Sequence, residues 1–461
     1  MIRFTNFSFT YEGQDQGVSN LNLQLEQGKC LLLCGQSGHG KSTILRVLMG
    51  LVPSFYKGKV SGEVLVDGKA PHTLTPEQRA QMVGVVFQDP RSQFFMDTVQ
   101  DEILFAAENL GMDRSELVKH LQTQTKLLNV EPLLYQKVSD LSSGQRQRVA
   151  VAAATILKPK LLLLDEPTAN LDQTTIALLV DMLKDLKSLG TTTVISDHRL
   201  TDYRSLTDEV AVIQYGKIVL NQDTNSFFSQ PKEHFKQFGL RHPNLRKYNI
   251  LSEVAHQSTN KLIFERVSYL YKSSKKGLES FSAAVDSGKV IAIRGLNGTG
   301  KTTMGKVLSG LYKERKGKIT FNGSRVKASK RNKMTYFVMQ DADYQLYADS
   351  VGNELVFGKK VSEKLKQKAY KAMDAFGIMH LKDRHPSSLS GGEKQRVIIA
   401  AAFVSDTEII ILDEPTSGLD GDNMLKVAKW ARRLADQNKF VFVITHDEDF
   451  IEIVCDKVIY L

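Results

Sequence analysis

Hydrophobic positions occur along this chain in short runs that are separated by more polar, helix-like segments. The runs at residues 29–34, 160–164 and 192–196 are largely apolar or β-branched, which is typical of strands covered on both faces of a parallel sheet. Residues 2–11 and 62–66 alternate between apolar and polar side chains, so they predict a smaller antiparallel sheet. Because strands alternate with helices, the pattern predicts an α/β fold around mainly parallel sheets.

A series of motifs occurs twice, in the same order. The run GQSGHGKST at 35–43 returns as GLNGTGKTT at 295–303, LSSGQ at 141–145 as LSGGE at 389–393, and LDEPT at 164–168 as LDEPT at 412–416. The copies lie 260 positions apart at the first motif and 248 apart at the other two. The repeat predicts two copies of one domain, at residues 1–230 and 261–461, joined by a linker at 231–260.

The composition is that of a folded globular protein, with 42% hydrophobic and 24% charged residues among 461. No apolar stretch is long enough to cross a bilayer, and the N-terminus lacks a signal-peptide pattern. The three cysteines, Cys30, Cys34 and Cys455, provide neither a disulfide framework nor a metal-binding spacing. These features predict a cytosolic chain, or one that reaches a membrane only by docking on a partner.

The net charge of +10 is unevenly distributed, with −3 in residues 1–230 and +13 in residues 231–461. Nine lysines and arginines lie between positions 313 and 333. We expect this run to form a solvent-exposed face. Contact with nucleic acid or acidic lipid is the weaker alternative, because few aromatic side chains accompany the run for base stacking.

Each glycine-rich run follows an apolar strand and precedes a helix, which is the context of a phosphate-binding loop. Its backbone N–H groups and the helix N-terminus suit phosphate oxygens. Lys41 and Lys301 are expected to reach the β- and γ-phosphates of ATP, and Ser42 and Thr302 to hold Mg²⁺. The alternative is a chance glycine-rich turn, which the double occurrence disfavours.

Two adjacent carboxylates end an apolar strand in each copy, at the edge where α/β sheets bind ligands. Asp165 and Asp413 are suited to Mg²⁺. Glu166 and Glu414 are placed to polarise an attacking water as general bases. Solvated strand ends are the alternative.

With these motifs in both copies, the chain resembles ATP-binding cassette (ABC) ATPases over nearly its whole length. The LSxG(Q/E) run, 24 residues before the paired carboxylates, is that family's signature. The resemblance implies two tandem P-loop NTPase cassettes. Each would have a mainly parallel sheet core, a small antiparallel β subdomain and a helical signature subdomain. The cassettes would form an intramolecular dimer in which each ATP lies between one loop and the opposite signature. Ser143 departs from the glycine usual in the family, and we expect little effect.

The resemblance also implies individual site residues. Nucleotide contacts in the first copy would come from Tyr11, Gly35, Gln36, Ser37, Gly38, His39, Gly40, Lys41, Ser42, Thr43, Gln88, Ser142, Ser143 and Gly144. In the second copy they would come from Tyr271, Gly295, Leu296, Asn297, Gly298, Thr299, Gly300, Lys301, Thr302, Thr303, Gln340, Ser390, Gly391 and Gly392. Catalytic roles fall to Glu166, Glu414, His198 and His446, and Mg²⁺ contacts to Ser42, Gln88, Asp165, Thr302, Gln340 and Asp413. Tyr11 and Tyr271 would stack on adenine, with a place in the core as their alternative.

The segments after Gln88 and Gln340 resemble those of energy-coupling factor importers. In that family they line a groove for integral membrane subunits. Apolar contact would come from Phe94, Phe95, Leu346 and Tyr347, unless these side chains merely pack on their own subdomain. The resemblance thus implies a peripheral ATP-hydrolysing subunit at the cytoplasmic face of the cell membrane, importing a vitamin or metal ion, with no nucleic-acid partner.

Two other functions compete with this hypothesis. A two-cassette sugar importer commonly has a damaged second phosphate loop, whereas Lys301 and Thr302 are intact here. A soluble cassette ATPase of ribosomes or nucleic acid typically has a long, charged, helical linker, which residues 231–260 do not resemble.

Overall fold

The chain forms two compact units, each containing one copy of the repeated motifs. The first comprises Met1–Pro243 with Gly418–Asp422, and the second Asn244–Ser417 with Asn423–Leu461. This computed structural model describes residues 1–13, 16–169, 171–241, 258–271, 276–296, 298–339, 342–389 and 391–461.

The first unit has a six-stranded sheet, a three-stranded antiparallel sheet and eight α-helices within its described residues. Its strands are β1 (Ile2–Tyr11), β2 (Gly17–Leu25), β3 (Cys30–Cys34), β4 (Gly58–Val66), β5 (Val83–Val86), β6 (Leu161–Asp165), β7 (Thr192–Ser196), β8 (Glu209–Gln214) and β9 (Lys217–Asp223). Its helices are α1 (Lys41–Leu48), α2 (Pro76–Met82), α3 (Val99–Asn109), α4 (Arg114–Leu127), α5 (Ser143–Thr155), α6 (Gln173–Ser188), α7 (Thr224–Phe228) and α8 (Lys232–Gln237). The large sheet has the order β5-β6-β7-β3-β8-β9, parallel except for the β8–β9 pair, and the small sheet has the order β2-β1-β4.

The second unit repeats this topology in its described residues. Its strands are β10 (Lys261–Leu270), β11 (Gly277–Asp286), β12 (Lys289–Arg294), β13 (Lys316–Phe321), β14 (Ser324–Arg325), β15 (Thr335–Val338), β16 (Ile409–Asp413), β17 (Phe440–Ile444) and β18 (Lys457–Tyr460). Its helices are α9 (Lys301–Leu308), α10 (Ala328–Met334), α11 (Val351–Val356), α12 (Glu363–Ala375), α13 (Gly391–Val404), α14 (Gly421–Asp436) and α15 (Glu448–Val454). The parallel order β15-β16-β17-β12-β18 matches β5-β6-β7-β3-β8, and the antiparallel order β11-β10-β13 matches β2-β1-β4. The predicted α/β architecture is therefore confirmed in both copies.

Strand β3 shows why the continuous apolar runs became central strands. All five of its residues are buried. Cys30, Leu32 and Cys34 contribute to one hydrophobic cluster, while Leu31 and Leu33 contribute to another. Because successive side chains point to opposite faces of a sheet, a strand covered on both faces needs apolar residues at every position. Burial also raises the pKa of the Cys34 thiol to about 12, so Cys34 acts as a small hydrophobe.

Residues 231–241, which fall in the predicted linker, pack inside the first unit. Helices α7 and α8 bring the rings of Phe227 and Phe235 within 5.1 Å of each other, and both rings are fully buried in the cluster that also contains Phe238. The structure thus extends the first unit to residue 241 and beyond the boundary that we predicted at residue 230. The rest of the predicted linker, up to residue 257, lies outside the described residues.

The basic run at 313–333 is only partly a solvent-exposed face, contrary to our expectation. Arg331 is 1% exposed and donates hydrogen bonds to the carbonyl oxygens of Val307 and Val326. It also forms an ion pair of 2.6 Å with Glu314, which is buried as well. A buried charge is tolerated only when it is paired and hydrogen-bonded, so Arg331 braces the segment between β13 and β15.

Candidate functional site

Both glycine-rich runs form loops between a parallel strand and a helix. The first loop joins β3 to α1, and the second joins β12 to α9. Gly40 and Gly300 cap their helices with φ of 106° and 101°, a left-handed conformation in which glycine avoids the penalty of a Cβ. At Gly38 and Gly298, also at positive φ, an added Cβ would meet open space, so the backbone is accessible to a ligand. Asn297 lies outside the described residues.

The lysine of each loop folds back over the loop that carries it. Lys41 Nζ donates to the carbonyl oxygens of Gly35 at 2.9 Å and of Gln36 at 3.1 Å. Lys301 Nζ donates to the equivalent carbonyls, of Gly295 and Leu296, at 2.9 Å each. Burial lowers the pKa of Lys41, although nearby carboxylates oppose this shift. Each ammonium group is therefore held over the backbone that would surround a phosphate.

In each unit, the residue after the lysine forms a hydrogen bond through its hydroxyl group with the aspartate that ends strand β6 or β16. Thr302 Oγ1 donates to Asp413 Oδ2 at 3.3 Å, and Ser42 forms the corresponding hydrogen bond to Asp165. Burial raises the pKa of Asp413 to about 6, and burial with the neighbouring Glu166 charge raises that of Asp165. Oxygen ligands whose negative charge is poorly compensated suit a divalent cation.

Glu166 is the most strongly perturbed carboxyl of the first unit's site. It has a φ of 45° just after β6, a conformation rare for residues other than glycine. Its Oε2 accepts a hydrogen bond of 2.7 Å from Gln88 Nε2, and its Oε1 lies 3.3 Å from His198 Nε2. Burial raises the pKa of Glu166 to about 7, with the Asp197 carboxylate adding to the rise. A carboxyl with that pKa can take a proton from water near neutral pH.

His198 is held neutral beside Glu166. Burial and the Lys41 ammonium lower its pKa. Its backbone N–H donates to Asp197 Oδ1 at 2.6 Å, and Thr168 and Tyr203 donate their hydroxyl hydrogens to Asp197 Oδ2. Within the described residues, the buried Nε2 atom of His198 makes no hydrogen bond. Its polar neighbour is Glu166 Oε1 at 3.3 Å, and a ligand that forms a hydrogen bond with Nε2 would satisfy it.

The second unit reproduces this arrangement. Glu414 has a φ of 48°, and its N–H donates to the carbonyl of Ile444 at 2.8 Å, as that of Glu166 does to Ser196. Thr445 Oγ1 donates to Glu414 Oε2 at 3.2 Å, and His446 Nε2 lies 3.7 Å from Glu414 Oε1. Gln340, the predicted counterpart of Gln88, lies outside the described residues.

Tyr11 and Tyr271 stand beside the phosphate loops. Tyr11 Oη lies 3.2 Å from Thr43 Oγ1, and Tyr271 Oη lies 3.5 Å from Thr303 Oγ1. Tyr11 is only half-buried, and Arg46 donates to its hydroxyl at 2.8 Å. The ring is therefore fixed next to the loop while part of its surface remains accessible, as a stacking role requires.

The signature runs begin helices. Ser142 caps α5 and forms a capping box with Gln145, in which the Ser142 hydroxyl accepts from the Gln145 N–H and the Gln145 side chain from the Ser142 N–H. Ser143 and Gly391 each occupy the first helical position, and an added Cβ at Gly391 would meet nothing within 4 Å. A side chain at this position therefore has room within its own fold, and the small effect of Ser143 stays a prediction. Ser390 lies outside the described residues.

The residues of the site fit a nucleoside triphosphate, and comparison with known proteins agrees. The profile described as "ABC transporter" matches residues 18–169 and 278–417, which together make up more than half of the chain.

The chain belongs to the ABC transporter ATPase family.

It is accordingly an ATP-binding, ATP-hydrolysing protein with two cassettes. Sequence relatives cover its full length. A provisionally named ABC transporter ATP-binding protein of Treponema denticola is 36% identical over 470 residues, spanning 100% of this chain and 95% of the relative. A protein of Bacillus subtilis, provisionally named HMP/thiamine import ATP-binding protein YkoD, is 31% identical over 490 residues. The match spans 100% of this chain and 90% of that protein.

Solved structures with two cassettes share the fold. A chain in the crystal structure of archaeal ribosomal stalk protein aP1 with the ribosome recycling factor aABCE1 matches with a TM-score of 0.68 and 24% identity, covering 99% of this chain and 87% of that one. The structure titled RNase-L Inhibitor matches with a TM-score of 0.66 and 24% identity, covering 98% of this chain and 87% of that one. At this identity the likeness describes the fold alone.

Among the described residues, no helix is both long and apolar enough to span a membrane.

A buried glutamate in each cassette was not among the predicted site residues. Glu102, in the first turn of α3, accepts hydrogen bonds of 2.8 Å from the N–H groups of Phe95 and Met96. Glu354 does the same for Tyr347 and Ala348 at 2.9 and 2.8 Å. The signal in the sequence was its recurrence, at the same distance after Gln88 and Gln340. Each glutamate positions the aromatic segment that follows the glutamine.

A glutamine in each cassette, Gln93 or Gln345, connects the aromatic segment to the large sheet by hydrogen bonds. Gln93 accepts from the Phe87 N–H at 3.0 Å and donates to the Val85 carbonyl at 3.3 Å. Gln345 makes the equivalent pair of hydrogen bonds, to the Met339 N–H and the Phe337 carbonyl, at 2.7 and 2.6 Å. Because both ends of each amide are used, the segment is anchored at strand β5 or β15.

Replacing Glu102 with alanine is expected to loosen this segment. Two backbone N–H groups lose their common acceptor, and each lost bond is worth about 1–3 kcal/mol when its donor is left unsatisfied. Amide hydrogen exchange at Phe95 and Met96 should therefore accelerate by about 10- to 100-fold in hydrogen-exchange mass spectrometry. The control is Glu108→Ala, at an exposed position of the same helix. Equal exchange rates in the two variants would contradict the positioning role.

Proposed function

We propose that this chain is the ATP-hydrolysing subunit of a membrane importer of the energy-coupling factor type, with a vitamin or metal ion as cargo. The observation that carries the proposal is an exposed aromatic ring in each cassette, that of Phe95 or Tyr347, which stacks on a second ring beside the segment held by Glu102 or Glu354. The Phe95 and Phe105 rings lie 5.3 Å apart with an interplanar angle of 18°. The Tyr347 and Phe357 rings lie 6.2 Å apart at 27°.

The exposure of these rings separates contact residues from packing residues. Phe95 is 74% exposed and Tyr347 is 70% exposed. Phe94 is half-buried and packs on the hydrophobic cluster of its own unit, and Leu346 is half-buried too. The alternative role of packing on the protein's own subdomain thus applies to Phe94. Phe95 and Tyr347 supply the surface that a partner would cover.

The chemistry of the surface indicates the kind of partner. Asp97 and Asp349 are exposed beside the aromatic rings. Aromatic anchors with neighbouring acidic groups suit short helices that carry apolar and basic side chains, such as cytoplasmic segments of integral membrane subunits. The name of the Bacillus subtilis relative, which refers to HMP/thiamine import, favours an importer of the vitamin class.

The site residues are assigned roles within the same proposal. Lys41 and Lys301 would bind the β- and γ-phosphates, and Glu166 and Glu414 would accept a proton from the attacking water. Ser42 with Asp165, and Thr302 with Asp413, would hold Mg²⁺, which neutralises phosphate charge when it is bound. The described residues contain no group of three or more His, Cys, Asp or Glu that could hold a metal ion. A Mg²⁺ ion bound by one hydroxyl, one carboxylate and phosphate oxygens does not need such a group.

Replacing both exposed rings, as Phe95→Ser with Tyr347→Ser, is expected to detach the chain from its membrane partners. Buried aromatic anchors contribute about 2 kcal/mol or more each to an interface, so association should weaken by more than 10-fold. Flotation of native membranes with bound protein measures this loss. ATP binding, measured in parallel, should remain unchanged because the phosphate loops are untouched.

The matched control is Tyr135→Ser with Leu189→Ser, which removes two side chains that are 88% and 69% exposed elsewhere in the first cassette. This control should float like the unmodified protein. Equal flotation of both double variants would refute docking through the aromatic rings. Co-sedimentation of the unmodified chain with ribosomes instead of membranes would favour the soluble class.

A further inference from the structure

A basic depression lies on the solvent-facing side of the second cassette's antiparallel sheet. Its volume is about 770 Å³, and residues of β10, β11, β13 and β14 line it. Its cations are Arg266, Lys316, Lys318 and Arg325. None of its residues belongs to the nucleotide site. We call it the basic pocket.

Two irregularities in the strands build this pocket. The pairing of β10 with both neighbours shifts register around Arg266. Arg266 and Ser280 have φ of 47° and 46°, a conformation that L-residues rarely adopt.

Two serine hydroxyls complete the lining. Ser282 Oγ accepts a hydrogen bond of 2.9 Å from the Arg266 N–H, and Ser268 Oγ accepts one of 2.8 Å from the Ser280 N–H. Each hydroxyl oxygen accepts from the backbone, and each hydroxyl also has a hydrogen that it can donate to a ligand. Both serines therefore present donors to an acceptor-rich group.

The charges of the pocket are of predominantly one sign. The one carboxylate in the lining is that of Glu265, which lies 3.1 Å from Lys318 Nζ. Arg325 lies 3.8 Å from Glu314, a partner that Arg331 already engages at 2.6 Å. Four cations against one lining carboxylate, together with hydroxyl donors, match a group with several anionic oxygens.

The first cassette provides an internal comparison, because it has the same backbone without the charges. Asn6 and Asn20 have φ of 47° and 50°, and their N–H groups donate to Asn22 Oδ1 and Ser8 Oγ at 3.0 and 2.9 Å. These four residues correspond to Arg266, Ser280, Ser282 and Ser268.

Strand β4 of the first cassette also lacks the basic residues that β13 has at the corresponding positions. Ser61 and Glu63 of β4 pair with Ser8 and Thr5, as Lys316 and Lys318 of β13 pair with Ser268 and Glu265. The first cassette forms the same sheet with Ser61 and Glu63 in place of the two lysines. The lysines are therefore not needed for the sheet to form.

We infer that the basic pocket binds a small, soluble ligand that carries a phosphate group. Phosphate oxygens accept from guanidinium, ammonium and hydroxyl donors at once. The aromatic side chain in the lining, Phe264, is 2% exposed, so the pocket offers no surface on which a nucleic-acid base could stack. This inference does not depend on the importer role, since the pocket is separate from the aromatic rings.

The test converts the pocket to the first cassette's residues, as Arg266→Asn with Lys316→Ser. The control, Lys327→Asn with Lys330→Ser, removes two charges at exposed positions of the same basic run outside the pocket. Inorganic phosphate and glycerol phosphate are titrated calorimetrically into the full chain, whose nucleotide sites are filled with Mg²⁺ and a non-hydrolysable ATP analogue. The unmodified protein and the control should bind at least one of the two probes, and the pocket variant should bind it at least 10-fold more weakly.

Three outcomes would overturn the inference. The first is equal affinity of the pocket variant and the unmodified protein for the probes. The second is no binding by the unmodified protein. The third is binding that occurs only with anionic lipid vesicles or RNA. Unchanged ATPase activity of the pocket variant verifies that it is folded.

Discussion

Replacing Glu166 and Glu414 together with glutamine is expected to reduce ATP turnover by about 10²- to 10⁴-fold, the usual contribution of a general base. Glutamine preserves the shape of the side chain but cannot accept the proton of the attacking water. The phosphate loops with Lys41 and Lys301 are unchanged, so affinity for ATP should change by less than about threefold. Phosphate release assays measure the first effect, and nucleotide titration measures the second.

The control for this pair is Glu116→Gln with Glu363→Gln, which makes the same chemical change at exposed positions of α4 and α12. That variant should hydrolyse ATP at the rate of the unmodified protein. Full turnover by the Glu166 and Glu414 double variant would mean that another group accepts the proton. A large loss of ATP affinity would mean that the two glutamates hold the nucleotide instead.

Glu166→Gln alone is also expected to stabilise the folded chain, and only above acidic pH. Burial raises the pKa of Glu166 from the ordinary 4.5 to about 7. Below pH 4.5 the carboxyl is neutral in both the folded and the unfolded chain, so it has no effect on the free energy of unfolding. Between pH 4.5 and 7 only the unfolded chain loses the proton, and stability falls as pH rises. Above pH 7 the full cost of about 3 kcal/mol is present.

Denaturant unfolding at pH 4 and pH 8 measures this difference. The free energy of unfolding of Glu166→Gln should exceed that of the unmodified protein by about 3 kcal/mol at pH 8 and match it at pH 4. Glu116→Gln, whose carboxyl is exposed, should show no difference at either pH. Should Glu166→Gln be no more stable than the unmodified protein at pH 8, the carboxyl is not destabilised by burial. The same pKa predicts that turnover declines as pH falls through 7.

The parallel sheets and the phosphate loops could be predicted because local sequence carries their physical cause. A strand buried on both faces needs apolar residues at each position, as Cys30–Cys34 shows. The loop glycines and the lysine after them recur at fixed spacing because the backbone must curve around phosphate. The placement of Asp165 and Glu166 follows from the same logic, since parallel strands end at one edge of the sheet.

Other features depend on tertiary contacts that no local pattern encodes. A run of nine basic residues gives no sign that Arg331 turns inward, because its partners, Val307 and Glu314, are 24 and 17 residues away. The aromatic ring of Phe235 lies in the predicted linker and that of Phe227 directly before it, in a polar stretch that gives no clear periodicity. Their burial became evident only when the helices that carry them were seen to pack on the first unit's core.

The exposed aromatic segments illustrate a middle case. The sequence predicted a partner-contacting segment after Gln88, and this stays a prediction; it could not distinguish Phe94 from Phe95, which are adjacent and identical in type. The distinction depends on Glu102, which fixes the backbone of Phe95 and Met96 from within α3. Glu102 lies seven residues after Phe95, and a hydrogen bond over that distance cannot be recognised from the periodicity of hydrophobic residues.

The Gln93 amide gives the first cassette a short mechanical linkage. Its side chain grips the backbone at Val85 and Phe87, directly before Gln88, whose own side chain holds Glu166 at 2.7 Å. The segment that contains Phe95 is therefore connected to the Glu166 carboxylate through two side-chain amides, those of Gln93 and Gln88. Because hydrogen bonds weaken steeply as their geometry departs from the optimum, a displacement of this segment would alter the hydrogen bond between Gln88 and Glu166.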